Sequence, residues 1–186
     1  QNNLGLIQQE LGDWNAAGRA FEAALAVNVR AGRAGPAGAN LTNLANLASL
    51  AADYPRSSAL YRRALAQYRA AGDRVGAAAV LRDVGLLESR RGDYPRARAA
   101  LAEALAIYVE TGPAIAEVGT RANLAGVETE LGNFEGALGQ LREAEVRLAT
   151  TETGVTARAD LTLARADLSL VLNQLADAGP GLPRGG

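Results

Sequence analysis

The side chains here that could do chemistry are amides, guanidiniums and carboxylates, because Cys, His and Met are absent and every basic residue is Arg. That excludes a thiolate nucleophile, an imidazole base, a disulfide framework and a His/Cys metal site. Acid–base work by paired carboxylates needs two acids in one cleft with separated pKa values. Asp83 and Glu130 are the only candidates, and nothing near them in the sequence promises desolvation. No catalytic residue, metal ligand or cofactor is therefore expected. Arg82 and Arg90 stand eight apart on one helical face and could clamp a carboxylate. Their plainer role is that of solvated or internally paired cations, for instance Arg82 with Asn43 or Asn123. Asn3, Asn43 and Asn123 occupy one recurring place, and an amide there can hydrogen-bond a neighbouring helix and fix the spacing between copies.

The elements that must position these residues are marked by a constant interval of 40. Gly12-Asp13-Trp14, Ala52-Asp53-Tyr54, Gly92-Asp93-Tyr94 and Gly132-Asn133-Phe134 fall in step along the chain. Such a period means one supersecondary unit copied four times. Asp13, Asp53, Asp93 and Asn133 are good N-caps for a helix that follows, with Pro55 and Pro95 tolerated in its first turn. Gly32, Gly72 and Gly112 can close those helices with positive φ. Within them a small residue (Ala17, Ser57, Ala97, Ala137), a bulky one (Phe21, Tyr61, Leu101, Leu141) and Ala (24, 64, 104, 144) share one face, the predicted packing seam. Each copy thus reads as helix, tight turn, longer helix, Gly stop. A fifth, incomplete copy runs from Asp167-Leu168-Ser169 to Leu175-Ala176-Asp177, displaced by four residues added around Thr150–Thr156.

Composition narrows the function further. With 41 Ala and only eight aromatic residues among 186, burial must come from many close helix contacts. A net charge of −1 is a poor basis for binding nucleic-acid phosphates. Arg90, Arg91, Arg96 and Arg98 are interleaved with Glu88 and Asp93 and read as surface charge. Tyr61 and Tyr68, beside Arg62, Arg63 and Arg69, read as packing residues rather than base-stacking ones. The Gly-rich stretch 32–38 lacks the Lys-Ser/Thr of a phosphate loop. No run of about 18 apolar residues suggests a membrane span, so a cytoplasmic location is expected. Gln1 lies within a helical pattern without an initiating Met, which suggests a piece of a longer protein; the Arg-for-Lys bias suggests a GC-rich bacterial genome.

Asn3-Leu4-Gly5, Gly12-Asp13-Trp14, Ala17, Phe21 and Ala24-Leu25, repeated in register, resemble the tetratricopeptide repeat family. Units of 40 exceed the family's common length of about 34 and look like those of kinesin light chains and bacterial tetratricopeptide regulators. Glu145 departs from the pattern, standing where Leu25, Leu65 and Leu105 stand.

The resemblance implies an all-α, right-handed superhelical array of antiparallel helix pairs, one domain over 1–178. Its repeats are expected at about 1–34, 35–74, 75–114 and 115–156, with a closing helix at about 157–177 and a disordered tail at 179–186. It places the first helix of each pair on a concave side, where Asn3, Asn43, Asn46, Arg82, Asp83, Leu86, Arg90, Asn123 and Glu130 would line a peptide-binding groove. The implied partner is a protein or peptide, with neither nucleic acid nor membrane. Alternatives are the sensor or lever arm of a bacterial signalling or transcriptional regulator, and a homodimer formed through the array's ends.

Overall fold

The computed structural model describes residues 2–150 and 155–177, and all of their regular structure is helical. The helices are α1 (Asn2–Glu10), α2 (Trp14–Arg30), α3 (Ala34–Leu50), α4 (Tyr54–Ala70), α5 (Arg74–Arg90), α6 (Tyr94–Thr111), α7 (Ala114–Glu130), α8 (Phe134–Ala149) and α9 (Val155–Asp177). The expected tail at 179–186 lies outside the described residues, as does most of the stretch around Thr150–Thr156. The chain divides into two compact halves, Gln1–Arg91 with α1–α5 and Gly92–Gly186 with α6–α9.

The caps explain why the helices begin where they do. Asp13 accepts from the Ala16 N–H at 2.9 Å, Asp53 from Arg56 at 3.2 Å, Asp93 from Arg96 at 3.2 Å and Asn133 from Gly136 at 3.2 Å. Each satisfies a donor that the first helical turn leaves free. Asp73 does the same for α5, accepting from Gly76 at 2.7 Å. The turns inside each pair are closed by a left-handed residue, Gly12 (φ 77°), Ala52 (φ 58°), Gly92 (φ 75°) and Gly132 (φ 74°). Between pairs, Gly32, Gly72 and Gly112 also have positive φ. Ala52 is the exception in chemistry, since its Cβ disfavours a conformation that Gly adopts freely.

The seam of small, bulky and small residues is buried in every second helix. Ala17, Phe21 and Ala24 in α2, Ser57, Tyr61 and Ala64 in α4, Ala97, Leu101 and Ala104 in α6, and Ala137, Leu141 and Ala144 in α8 are all at most 5% exposed. Ser57 resolves its buried hydroxyl by donating to the Ala45 carbonyl at 2.9 Å, so this polar member of the seam also ties α4 to α3. Glu145 faces outward from the corresponding seam and pairs with Arg165 of α9. A carboxylate therefore replaces the leucine of the earlier copies where α8 meets α9.

Close approach in the N-terminal half depends on glycine. A Cβ on Gly5 would stand 2.5 Å from Phe21 Cε1, and one on Gly38 3.0 Å from the Tyr68 ring. One on Gly76 would overlap the same ring from another helix. Tyr68 of α4 is thus seated against both α3 and α5.

Candidate functional site

In the N-terminal half the amides make a chain of hydrogen bonds. Asn28 Nδ2 of α2 donates to Asn40 Oδ1 of α3 at 2.8 Å, and Asn40 Nδ2 donates to Asn2 Oδ1 of α1 at 2.8 Å. Asn43 Nδ2 donates to the same Asn2 oxygen at 3.3 Å. Asn43 therefore helps to hold α1 on α3, with Asn40, only 1% exposed, at the centre of the relay. Asn3 is exposed on α1.

A turn further along α3, Asn46 accepts a hydrogen bond from the Tyr61 hydroxyl of α4. Arg82 pairs with its own neighbour rather than with Asn43, its Nη2 donating to Asp83 Oδ1 at 3.1 Å. Arg90 Nη1 donates to Ser49 Oγ at 3.2 Å, spanning from α5 to α3. The paired-Arg carboxylate clamp is thus divided, with one guanidinium on a neighbouring carboxylate and the other on a hydroxyl.

Asn46, Asp83, Leu86 and Arg90 meet in one cavity of about 250 Å³, completed by Ser49, Leu50, Tyr61 and Leu87. Leu87 is 1% exposed and Leu50 59%, so the apolar lining grades from a dry floor to an open mouth. Burial pushes the Asp83 carboxyl above its ordinary range, and Arg82 and Arg90 partly counter it. Burial, followed by the Asp83 charge, likewise pushes the Tyr61 hydroxyl upward, while Arg90 and Arg82 act the other way. Arg82 and Arg90 of α5 are therefore both felt at Asp83 and Tyr61.

A second cleft of about 330 Å³ runs between α2, α3 and the start of α4 and holds none of the expected groove residues. Its rim carries the Arg56–Glu22 pair at 3.5 Å and the α4 cap Asp53. These groups are already engaged in holding helices.

The C-terminal half places Asn123 half-buried on α7 and Glu130 exposed near that helix's end. Glu130 hydrogen-bonds the Tyr94 hydroxyl, and that bond, with the carboxylate's charge, raises the tyrosine's pKa. A buried acid found nowhere in the other copies, Glu117, receives Arg121 Nε at 3.0 Å and Arg147 Nε at 2.9 Å. Arg147 Nη2 also donates to the Gly112 carbonyl at 3.1 Å. Arg91 pairs with Glu88 at 3.1 Å in the N-terminal half, and Arg96 with Asp93 at 3.2 Å in the C-terminal half. Among the described residues no three His, Cys, Asp or Glu side chains gather as a metal site, and no helix is long and apolar enough to cross a membrane.

Residues 36–110 match the family described as tetratricopeptide repeat. Many solved structures resemble the chain, among them the following three. BtubC (BKLC) of P. vanneervenii aligns at a TM-score of 0.73 and 22% identity over 80% of this chain, which spans 61% of that one. A kinesin light chain-like protein of nearly identical TPR-like repeats from Podosopora anserina aligns at 0.69 and 16% identity over 99% of this chain and 95% of its own. A point-substituted form of that same protein aligns at 0.70 and 16% identity, over 95% and 91%. Residues 36–110 thus read as tetratricopeptide repeats, and the chain shares the fold of these TPR-like structures. A search of curated proteins gave no match.

Tetratricopeptide repeats as a class serve protein interaction or scaffolding, working through their surface. Asn46, Asp83, Leu86 and Arg90 are the expected groove positions that fall within the cavity lining. The other lining residues include Ser49 and Leu87, which sit beside expected positions on the same helices, and Tyr61, which comes from a second helix. The signal available for Tyr61 was its hydroxyl. At the place of Phe21, Leu101 and Leu141, a phenol needs a polar partner when buried.

Proposed function

We propose that this chain is a peptide-binding module and that its N-terminal half holds an extended segment of a partner protein against α3 and α5. The observation that carries this reading is the convergence of Asn46, Asp83, Leu86 and Arg90 in one cavity. They come from two first helices, and they combine an apolar floor with a few polar groups, as small binding sites do. Asn3 and Asn43 lie on the N-terminal side of the cavity and supply further amides to the segment's backbone. Asn123 and Glu130 offer the corresponding stripe in the C-terminal half. Arg82 contributes through Asp83, whose carboxylate it partly neutralises.

The test is a peptide selected from a random library on the whole chain. Combined Asn46→Ala and Arg90→Ala substitution is expected to weaken its binding about tenfold or more, the scale of a lost hot spot. Unchanged affinity in a variant with native helix content would remove the cavity from the binding surface.

A second reading, self-association, draws on α1 and the turn after it, where Leu4 (50% exposed), Ile7 (53%) and Leu11 (78%) are exposed apolar residues. A mass in solution that stays monomeric over a hundredfold concentration range, about the span that resolves weak dimers, would rule it out.

A further inference from the structure

The cavity between α3 and α5 has a composition that favours one kind of guest. Its charged lining residues are one anion, Asp83, and one cation, Arg90. Arg82 adds a second positive charge to the neighbourhood, but it does not line the cavity and is bound to Asp83 Oδ1. Asp83 Oδ2 is left as an acceptor. Arg90 uses Nη1 on Ser49 and keeps its remaining N–H groups. Asn46 receives the Tyr61 hydroxyl on its oxygen, which leaves its Nδ2 hydrogens to donate.

We propose that this cavity recognises an uncharged carboxamide, foremost a glutamine side chain of the bound segment, and discriminates against carboxylate and ammonium groups. The inference rests on the groove reading above and specifies its guest. A carboxamide donates through NH₂ to Asp83 Oδ2 and accepts through its oxygen from Asn46 Nδ2 or Arg90. Both polar ends of the guest are thereby satisfied without an ion being moved from water, which is the costly alternative. The two methylenes of glutamine lie against Leu50, Leu86 and Leu87.

A carboxylate would bring a second anion beside Asp83, whose side chain is only 15% exposed. The raised pKa of Asp83 indicates that this environment already disfavours the one anion it holds. An ammonium would meet Arg90 within the lining and Arg82 behind it. A cavity of about 250 Å³ also lies below the usual size of small-molecule pockets, roughly 300–1,000 Å³, and suits a single side chain.

The experiment titrates the ¹⁵N-labelled whole chain with four blocked peptides, acetyl-Ala-X-Ala-N-methylamide, where X is Gln, Glu, Lys or Leu. Backbone amide shifts are followed at Ser49, Leu50, Leu86 and Arg90. The Gln peptide is expected to bind there about tenfold more tightly than the Glu and Lys peptides, through unpaired or like charges in the wrong complexes. Asp83→Asn should move the preference toward Glu. Arg90→Leu should move it toward Lys, and because Arg90 is exposed this variant keeps the test open if Asp83→Asn does not fold.

Binding of the Glu, Lys or Leu peptide at these amides as tight as that of Gln would overturn the carboxamide assignment while leaving the groove in place. Shifts confined to other surfaces, or none with any peptide, would overturn both.

Discussion

Ala52 holds φ at 58°, where the equivalent residues of the other pairs are glycines at 74–77°. Alanine in that region costs about 1–2 kcal/mol, partly offset by the greater chain entropy of a glycine replacement. Ala52→Gly is therefore expected to stabilise the protein by about 0.5–1 kcal/mol. The urea midpoint should rise with the slope unchanged; a lower midpoint would show that the turn is not strained. Asp83 makes a second prediction at this scale. Its folded pKa lies above the ordinary 3.8, so between 3.8 and the raised value the folded chain keeps a proton that the unfolded chain has lost. Acid thus favours the folded state through this group, and its contribution falls as pH rises across that window. The stability of the wild type relative to Asp83→Asn should decline over the same interval in urea unfolding at stepped pH; a flat difference would contradict the burial-driven shift.

At the scale of elements, the ring of Tyr68 occupies the space that side chains on Gly38 and Gly76 would need. Gly76→Ala is expected to cost roughly 1–3 kcal/mol through overpacking. Trimming the ring with Tyr68→Leu should recover part of that loss, giving a coupling energy in a double-mutant cycle; strict additivity would place the strain elsewhere. In the C-terminal half, Glu117 (side chain 7% exposed) binds Arg121 of its own helix and Arg147 of α8. Glu117→Ala leaves Arg121, 13% exposed, without its partner carboxylate, and a loss of about 3 kcal/mol is expected from chemical unfolding. The helix boundaries were legible because caps, prolines and terminal glycines are local signals that a repeat prints several times. Arg82 was harder to place, since its partner is the adjacent residue and a search among distant repeats passes over it. Asn40 was invisible to the repeat comparison for a related reason. Its counterparts are Val80 and Thr120, and its role exists only where Asn2 and Asn28 converge on it.

For the whole molecule, each compact half carries its own buried seams, and stability in repeat proteins is a sum of local contributions and nearest-neighbour ones. Hydrogen exchange should therefore report Gly76→Ala most strongly within Gln1–Arg91 and Glu117→Ala most strongly within Gly92–Gly186. Equal loss of protection throughout both halves would mean that the chain opens only as one cooperative body. Composition excluded chemistry based on thiols and imidazoles at this scale, and periodicity gave the array. The cavity needed three dimensions, because its lining joins first helices to a second helix.

The turns after Gly32 and Gly72 share φ values of 65° and 68°, and the helices that follow begin at Ala34 and Arg74. Crossing over between these two points removes or adds 40 residues and rejoins the backbone in the same conformation. The gene can consequently lengthen or shorten in steps of one complete pair while every helix keeps its start, its stop and its buried face. The turn is thus also the natural seam for recombination, which links the backbone angle of a single glycine to the regular interval in the sequence.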